Sequence, residues 1–462
     1  MIRIFRHYVP KALLLLAMIE ALIIVSAIYA GVGLRFLGRQ QRVVPLSTIL
    51  PKAAVFLIVM LIAMSALGLY QRHLREGQWG YLPRLGVSFI VGIGVMSIVF
   101  HVTPSLFLGR GAFGLSLIFA LLGIAMARLC YIKLSARPAV KRRVLVLGTG
   151  SRAAKIDALE NSTASAAGFR VVGYVSEDRG DEGNLPRVLR DRMPLQKMVK
   201  KYGAQTVVVG VRDRRGNVPM NEILQCKLQG IEIIDLPTFL EREGGRIELD
   251  TLNTSWLVFS DGFQQGQIKR WLKRGFDIGW AAIALVLFLP VMAVVAVCIV
   301  AEDGWPVLYR QERVGQGGRR FCLIKFRSMR QDAERDGVPQ WAAQNDERMT
   351  RVGRLIRKVR IDELPQVWNV LRGDMSFVGP RPERAYFVSQ LETRIPYYAY
   401  RHVVKPGITG WAQIRYPYGA SVEDAIQKLQ YEFYYIKNNT LFLDFVILIQ
   451  TLQVLVWNQG AR

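Results

Sequence analysis

Four apolar blocks of near-bilayer length, at residues 12–34, 48–69, 81–102 and 106–129, fill the first 130 residues of this 462-residue chain. A helix needs about 20 apolar residues to cross a hydrocarbon layer, so the blocks read as a bundle of four membrane helices over residues 1–135. The first block is too long for a removable signal peptide and lacks a small-residue cleavage site. Basic residues set the orientation. Arg3, Arg6, Lys11, Arg72, Arg75, Arg84, Arg128, Lys133, Arg137, Lys141, Arg142 and Arg143 put twelve cations on one side; Arg35, Arg39, Arg42, Lys52 and Arg110 put five on the other. Both ends of the bundle are therefore expected in the cytoplasm, with the cation-bearing first external loop running against the rule.

The balance of 61 Lys+Arg against 36 Asp+Glu suits nucleic acid, an anionic membrane surface or a phosphate-rich substrate. Because the apolar residues gather into membrane-length blocks, the cations read as membrane-flanking, and no nucleic-acid partner is expected. A 51% apolar chain is not disordered. Cys130, Cys226, Cys298 and Cys322 form no C-x-x-C pair, and His7, His73, His101 and His402 are as dispersed, which disfavours zinc or a disulfide framework.

A fifth block, residues 278–301, is long enough to span, yet both flanks call for the cytoplasm: Lys269, Arg270, Lys273 and Arg274 before it, Arg310, Arg313, Arg319, Arg320, Lys325 and Arg327 after it. Pro290, at its middle, removes a helix hydrogen bond and bends the axis. A re-entrant hairpin that enters one leaflet and returns satisfies both features. The last apolar stretch, 441–457, is short and broken by Asp444, Gln450 and Gln453, so it is expected at the interface or packed on the C-terminal domain.

Residues 136–262 read as an α/β, Rossmann-like domain, with buried strands at 144–147, 171–175, 206–211 and 232–236. The first runs into Gly148-Thr149-Gly150-Ser151-Arg152-Ala153, a G-x-G-x-x-A turn of the kind that brings backbone N–H groups to a pyrophosphate. Gly148 and Gly150 are its candidate nucleotide residues, with Glu177 or Asp178 as the ribose-binding acid. A lone fingerprint fits equally a domain that keeps the turn without a dinucleotide. Dehydratase or epimerase chemistry also needs a Tyr-x-x-x-Lys pair, and the sequence has none.

The chemistry concentrates in residues 263–462, expected to form a mainly α domain. Its centre is Arg360-Ile361-Asp362-Glu363-Leu364-Pro365-Gln366, where Pro365 suits a first helical turn and Asp362 its N-cap. Adjacent helical residues diverge by ~100°, so two separate jobs suit these carboxylates better than one shared proton. An N-terminal carboxylate is held ionised by the helix dipole and can attack phosphorus. The second can hold Mg²⁺, a hard cation that binds oxygen and diphosphate. Lys325, Arg327, Arg357, Arg360 and Arg381 are candidates to offset transition-state charge. No G-x-x-x-x-G-K-[ST] loop is present, which excludes a P-loop NTPase.

Taken in order, Pro306-Val307-Leu308-Tyr309-Arg310-Gln311-Glu312-Arg313-Val314-Gly315, Lys325-Phe326-Arg327-Ser328-Met329, Ile361-Asp362-Glu363-Leu364-Pro365-Gln366, Gly379-Pro380-Arg381-Pro382 and Lys405-Pro406-Gly407-Ile408-Thr409-Gly410-Trp411 resemble the bacterial sugar transferases, the monotopic phosphoglycosyl transferases, in their long form. The resemblance implies a bacterial inner-membrane enzyme with its catalytic domain on the cytoplasmic face. It would transfer a hexose 1-phosphate from a UDP-sugar to undecaprenyl phosphate, release UMP, and start an exopolysaccharide. Asp362 would be the nucleophile and Glu363 the Mg²⁺ ligand; Lys325, Arg327, Arg357 or Arg360, and Arg381 would bind phosphate. Glu432 stands where the family usually has Asp, and is carried as a substrate-binding candidate. Leu289-Pro290 replaces a usual Ser-Pro at the bend. The long forms imply a homodimer, and glucose or galactose as the sugar. The alternative from another class is a non-catalytic membrane scaffold or nucleotide sensor working through the G-x-G turn.

Overall fold

The computed structural model describes residues 2–4, 7–36, 46–70, 80–135, 137–161, 168–176, 185–190, 193–211, 219–252, 260–263, 266–330, 348–417, 419 and 421–456. The chain divides into two compact units, Tyr8–Gly244 and Gly245–Arg462, with Met1–Ile4 belonging to the first and Phe5–His7 to the second. Two short strands, β1 (Ile2–Ile4) and β2 (His7–Val9), come first.

The first unit opens with four long apolar helices: α1 (Lys11–Phe36), α2 (Leu46–Ala66), α3 (Tyr81–Val102) and α4 (Arg110–Ser135). Each is long and apolar enough to cross a membrane. Leucine, isoleucine and valine remain exposed around the bundle, while Ile24, Phe56, Met60 and Ile124 fill its interior. Two of the cations assigned above to the flanks, Arg84 and Arg128, lie inside helices and are buried. They face the turn after α2, Arg84 donating to the Leu67 carbonyl and Arg128 to the Leu69 carbonyl. Arg39, Arg42, Arg72 and Arg75 lie outside the described residues.

A five-stranded parallel sheet follows, built from β3 (Arg142–Leu147), β4 (Phe169–Val175), β5 (Val188–Leu189), β6 (Thr206–Val209) and β7 (Glu232–Asp235) in the order β5-β4-β3-β6-β7. Its strands alternate faces. Val144 and Val146 pack with α5 (Ser151–Asn161) and α8 (Leu236–Gly244) on one side. Leu145 and Leu147 pack with α6 (Leu195–Tyr202) and α7 (Met220–Leu228) on the other. The first strand is central and the crossovers go both ways from it, which opens a crevice at the carboxyl end of β3. Gly148 and Gly150 stand there with φ of +111° and +85°. A Cβ on Gly148 would lie 3.3 Å from the Gly210–Val211 backbone, so the turn needs glycine for both conformation and space. Glu177 and Asp178 lie outside the described residues.

The second unit carries a fifth long helix, α9 (Gln267–Asp303). The apolar block 278–301 lies within this one continuous helix of 37 residues, with Pro290 inside it. Both ends of that helix pack on the same domain. Near its start, Arg274 donates to the Val370 and Leu371 carbonyls, and Ala281 joins Leu323, Val367 and Met375. Near its end, Val295 and Ile299 pack with Val307, Phe326 and Ile356. Between them Ile283, Val286, Leu287 and Leu289 are exposed. The rest comprises a hairpin of β8 (Leu308–Val314) and β9 (Arg320–Phe326), then α10 (Arg351–Lys358), α11 (Gln366–Arg372) and β10 (Ser376–Val378). After these come α12 (Ala385–Arg394), β11 (Gly407–Thr409), α13 (Trp411–Arg415), α14 (Val422–Asn438) and α15 (Leu441–Val456). The last helix packs on the domain. Leu443 and Ile447 enter its core, and buried Asp444 pairs with Lys273 at 2.8 Å while accepting the Tyr435 hydroxyl.

Candidate active site

The Gly-Pro-Arg-Pro and Lys-Pro-Gly motifs meet as neighbours. β10 and β11 are parallel, Gly379 N–H donates to Thr409, and Gly407 N–H donates to the Pro380 carbonyl. A Cβ on Gly379 would collide with the Lys405 carbonyl, and one on Gly407 with the Gly379 nitrogen, so the close approach requires both glycines. Their crossing aims Arg381 at Glu363: its Nη2 stands 2.8 Å from Glu363 Oε1.

From the other side β9 brings Lys325, whose Nζ is 3.3 Å from the same oxygen. Asn369 on α11 holds that strand in place, accepting from Ile324 N–H at 3.1 Å and donating to the Cys322 carbonyl at 2.8 Å. The carboxylate pair sits in a 3₁₀ turn, Ile361–Glu363, that precedes α11. Asp362 is thus not a helix N-cap, as its spacing from Pro365 had implied; Pro365 itself takes that position for α11. The turn is entered through Arg360 in the left-handed region, φ +56°, a conformation costing a non-glycine residue on the order of 1 kcal/mol and typical of functional turns.

Both carboxylates are buried, and their surroundings separate them. Burial alone would raise the Glu363 pKa, but Arg381, then Lys325 and Arg360, hold it well below the usual carboxylate range. For Asp362 the order is reversed. Burial first, then the Glu363 charge, push it up, against the opposing pull of Lys325, Arg357 and Arg381. The carboxylate that its neighbours hold ionised is therefore Glu363, on which the cations converge, whereas burial and the Glu363 charge work against ionisation of Asp362. Among the described residues no hydrogen bond reaches the Asp362 side chain. Glu363 uses Oε1 for both its partners, and its second oxygen has none among the described residues. No cluster of three metal-ligating side chains occurs among the described residues.

The other candidates divide. Lys325, Arg357, Arg360 and Arg381 all bear on the pair. Arg327 does not: it donates to the Asp303 and Gly304 carbonyls and pairs with Asp303 at 3.2 Å, tying the end of α9 to β9. Glu432 is engaged by Arg401 through two bonds of 2.6 and 2.8 Å, and Arg401 also donates to the Arg381 carbonyl at 2.9 Å. That buried pair positions the Arg381 turn. Arg401 and Asn369 escaped the sequence reading, since neither sits in a motif and their partners are 31 and about 45 residues away.

Beside the pair opens a groove of about 850 Å³, solvent at its mouth included, walled by Phe387, Tyr398 and Tyr416 with Arg360 and Arg381 at its edge. Gln413 lines it with a buried Oε1 that has no hydrogen-bond partner among the described residues. Aromatic rings lining a groove with two guanidiniums suit a ligand that is part ring and part phosphate.

Residues 268–458 match the family model described as bacterial sugar transferase. A UDP-glucose:undecaprenyl-phosphate glucose-1-phosphate transferase of Caulobacter vibrioides is 41% identical over 191 residues, 41% of this chain and 71% of that protein. The chain belongs to the bacterial sugar transferase family. A UDP-N-acetylgalactosamine-undecaprenyl-phosphate N-acetylgalactosaminephosphotransferase of Aeromonas hydrophila is 45% identical over 240 residues, 52% of this chain and 56% of that protein. An undecaprenyl-phosphate glucose phosphotransferase of Komagataeibacter xylinus is 30% identical over 332 residues, 69% of this chain and 60% of that protein. The match thus spans only a little over half the length of these last two relatives. Asp362, Glu363, Lys325, Arg327, Arg357, Arg360, Arg381, Arg401 and Glu432 all fall within the family match.

Proposed function

We propose that this sugar transferase moves a sugar 1-phosphate from a UDP-sugar to undecaprenyl phosphate, beginning a cell-surface polysaccharide on the cytoplasmic face of the inner membrane. The observation that carries this reading is the division between adjacent carboxylates, Glu363 locked by two cations and Asp362 bonded to none among the described residues. An Asp362 oxygen attacks the sugar-bearing phosphorus, and the bond to the bridging oxygen breaks with its electrons leaving on UMP. The lipid phosphate oxygen then attacks the same phosphorus and releases the Asp362 carboxylate. Lys325, Arg357, Arg360 and Arg381 offset charge on the phosphoryl oxygens throughout. Glu363 would hold Mg²⁺ through the oxygen it does not give to Lys325 and Arg381, together with the donor diphosphate; the ion would supply charge neutralisation.

A helix with both ends packed on one domain does not suit a span with its ends on opposite sides of the membrane. About 37 residues extend about 55 Å when straight. The exposed apolar middle around Pro290, between packed ends, supports a helix that dips into one leaflet and returns. That seats Asp362 where a soluble donor and a headgroup-level acceptor meet.

The experiment is UMP release and transfer of radiolabelled sugar phosphate to protein and then lipid, over UDP-glucose, UDP-galactose and UDP-N-acetylgalactosamine with Mg²⁺. Wild type should release UMP and carry label, with Asp362→Asn doing neither. Turnover surviving in Asp362→Asn would refute the covalent route, and silence of wild type with every donor would favour a scaffold.

A further inference from the structure

In the first unit a second cleft, of about 770 Å³ with solvent at its mouth included, is lined by Arg143, Arg170 and Arg187 with Tyr202 and Ala139. Among the described residues no carboxylate lines it. Arg143 and Arg170 are direct partners across the parallel β3–β4 ladder, where strands run about 4.8 Å apart. Like charges so placed repel, yet neither has a carboxylate partner among the described residues. Arg187 stands beside them in the left-handed region, φ +64°, held by the Val171 carbonyl at 2.7 Å and by Glu160 at 3.7 Å.

The cleft lies at the amino end of the sheet, the end opposite the Gly148 turn. Ala139, in its wall, follows the last residue of α4, Ser135, by four residues. Four residues span at most about 14 Å, so the cleft opens close to where the chain leaves the bilayer. Lys133, Arg137 and Lys141 flank that exit.

We propose that this cleft binds a phosphate-bearing anion at the membrane surface, chemistry offered by the headgroup of an anionic phospholipid and also by free phosphate. The guanidiniums supply paired donors to phosphate oxygens. Such an anion relieves the repulsion between Arg143 and Arg170 and pins the sheet to the bilayer. This site is independent of the catalytic reading.

The test uses the full-length protein in nanodiscs. In phosphatidylcholine discs with a minor fraction of phosphatidylglycerol, native mass spectrometry should show wild type retaining phosphatidylglycerol. Arg143→Gln with Arg170→Gln should lose it, by roughly 30-fold if each cation contributes about a five- to sixfold share, and the paired Lys variants should keep most of it. In pure phosphatidylcholine discs, a rise in melting temperature with inorganic phosphate that the Gln pair lacks would assign the same site to a soluble anion. Wild type showing neither selective retention of phosphatidylglycerol nor a phosphate-dependent shift would overturn the proposal without reference to any variant. So would equal responses from wild type and a folded Gln pair.

Discussion

Two buried acid–base clusters in this molecule use the same residue types to opposite ends. In the helical bundle, Glu20 of α1 meets one edge of the Arg128 guanidinium from α4, its Oε1 2.7 Å from Nε and its Oε2 accepting from Nη2 at 2.9 Å, and also accepts the Tyr70 hydroxyl. Arg128 spends its remaining reach on the Leu69 carbonyl and the face of the Tyr70 ring. One charge meets one charge and both are consumed. In the second unit two carboxylates face Lys325, Arg357, Arg360 and Arg381. One carboxylate is held and the other is left without hydrogen bonds among the described residues. A one-to-one ion pair fixes three segments of a bundle together; a cluster with four cations around two carboxylates, one of them without a hydrogen bond among the described residues, is arranged for a phosphate that arrives later.

The comparison breaks first at Asp362. Asp362→Asn should lower turnover by on the order of 10⁴-fold or more, as loss of a covalent nucleophile does, while leaving the thermal transition of the purified protein unchanged. The bundle should answer the other way. Arg128→Leu strands Glu20 in the interior and should cost about 3–5 kcal/mol of stability, read as a lowered denaturation midpoint in detergent. Its turnover per folded molecule should stay near wild type. A variant of Arg128 that is stable but inactive would remove the distinction between the clusters.

Glu432 sharpens the contrast, because it combines features of both. It is saturated by Arg401, like Glu20, but Arg401 passes the constraint to the Arg381 carbonyl. Glu432→Gln should therefore raise the KM for the sugar donor about tenfold with a smaller change in kcat, the mark of a positioning residue. An unchanged KM with an unchanged kcat would make the pair purely structural.

What the sequence disclosed follows the same line between local and distant partners. Strands at 144–147 and 171–175 were legible because alternating faces are each covered by helices, and each observed strand agrees with the expected one at one end and differs by one or two residues at the other. Membrane-length helices were legible because hydropathy needs no partner to be read. The Asp362-Glu363 pair was visible as a motif, but the surroundings that push the Asp362 pKa up and the Glu363 pKa down were not. Those surroundings depend on Arg381 and Lys325, 18 and 38 residues from Glu363. Arg327 looked like a phosphate ligand from its place in Lys-Phe-Arg-Ser-Met, and strand alternation would put it on the same face as Lys325, but β9 ends at Phe326. It leaves the strand end toward Asp303. Arg84 and Arg128 were counted as solvent-facing flank charges because nothing local shows the carbonyls and the Glu20 they reach.

The smallest effect is also the most diagnostic, since it reads the electrostatics of the pair directly. Attack requires Asp362 ionised, and its pKa lies above the ordinary aspartate value of about 3.9. The reactive fraction is then lost as pH falls through that raised pKa, so the acid limb of the single-turnover rate should stand above pH 3.9. Substitutions should move the limb in opposite directions according to sign. Glu363→Gln removes an anion that disfavours Asp362 ionisation, so its limb should shift to lower pH even as the rate falls. Lys325→Gln and Arg381→Gln each remove a cation that favours ionisation, and their limbs should shift to higher pH. A shift of one pH unit corresponds to about 1.4 kcal/mol of interaction. The profiles are best taken on the first burst of UMP, which isolates attack by Asp362 from transfer to the lipid. Three limbs displaced the same way would mean that the carboxylate in the profile is not Asp362.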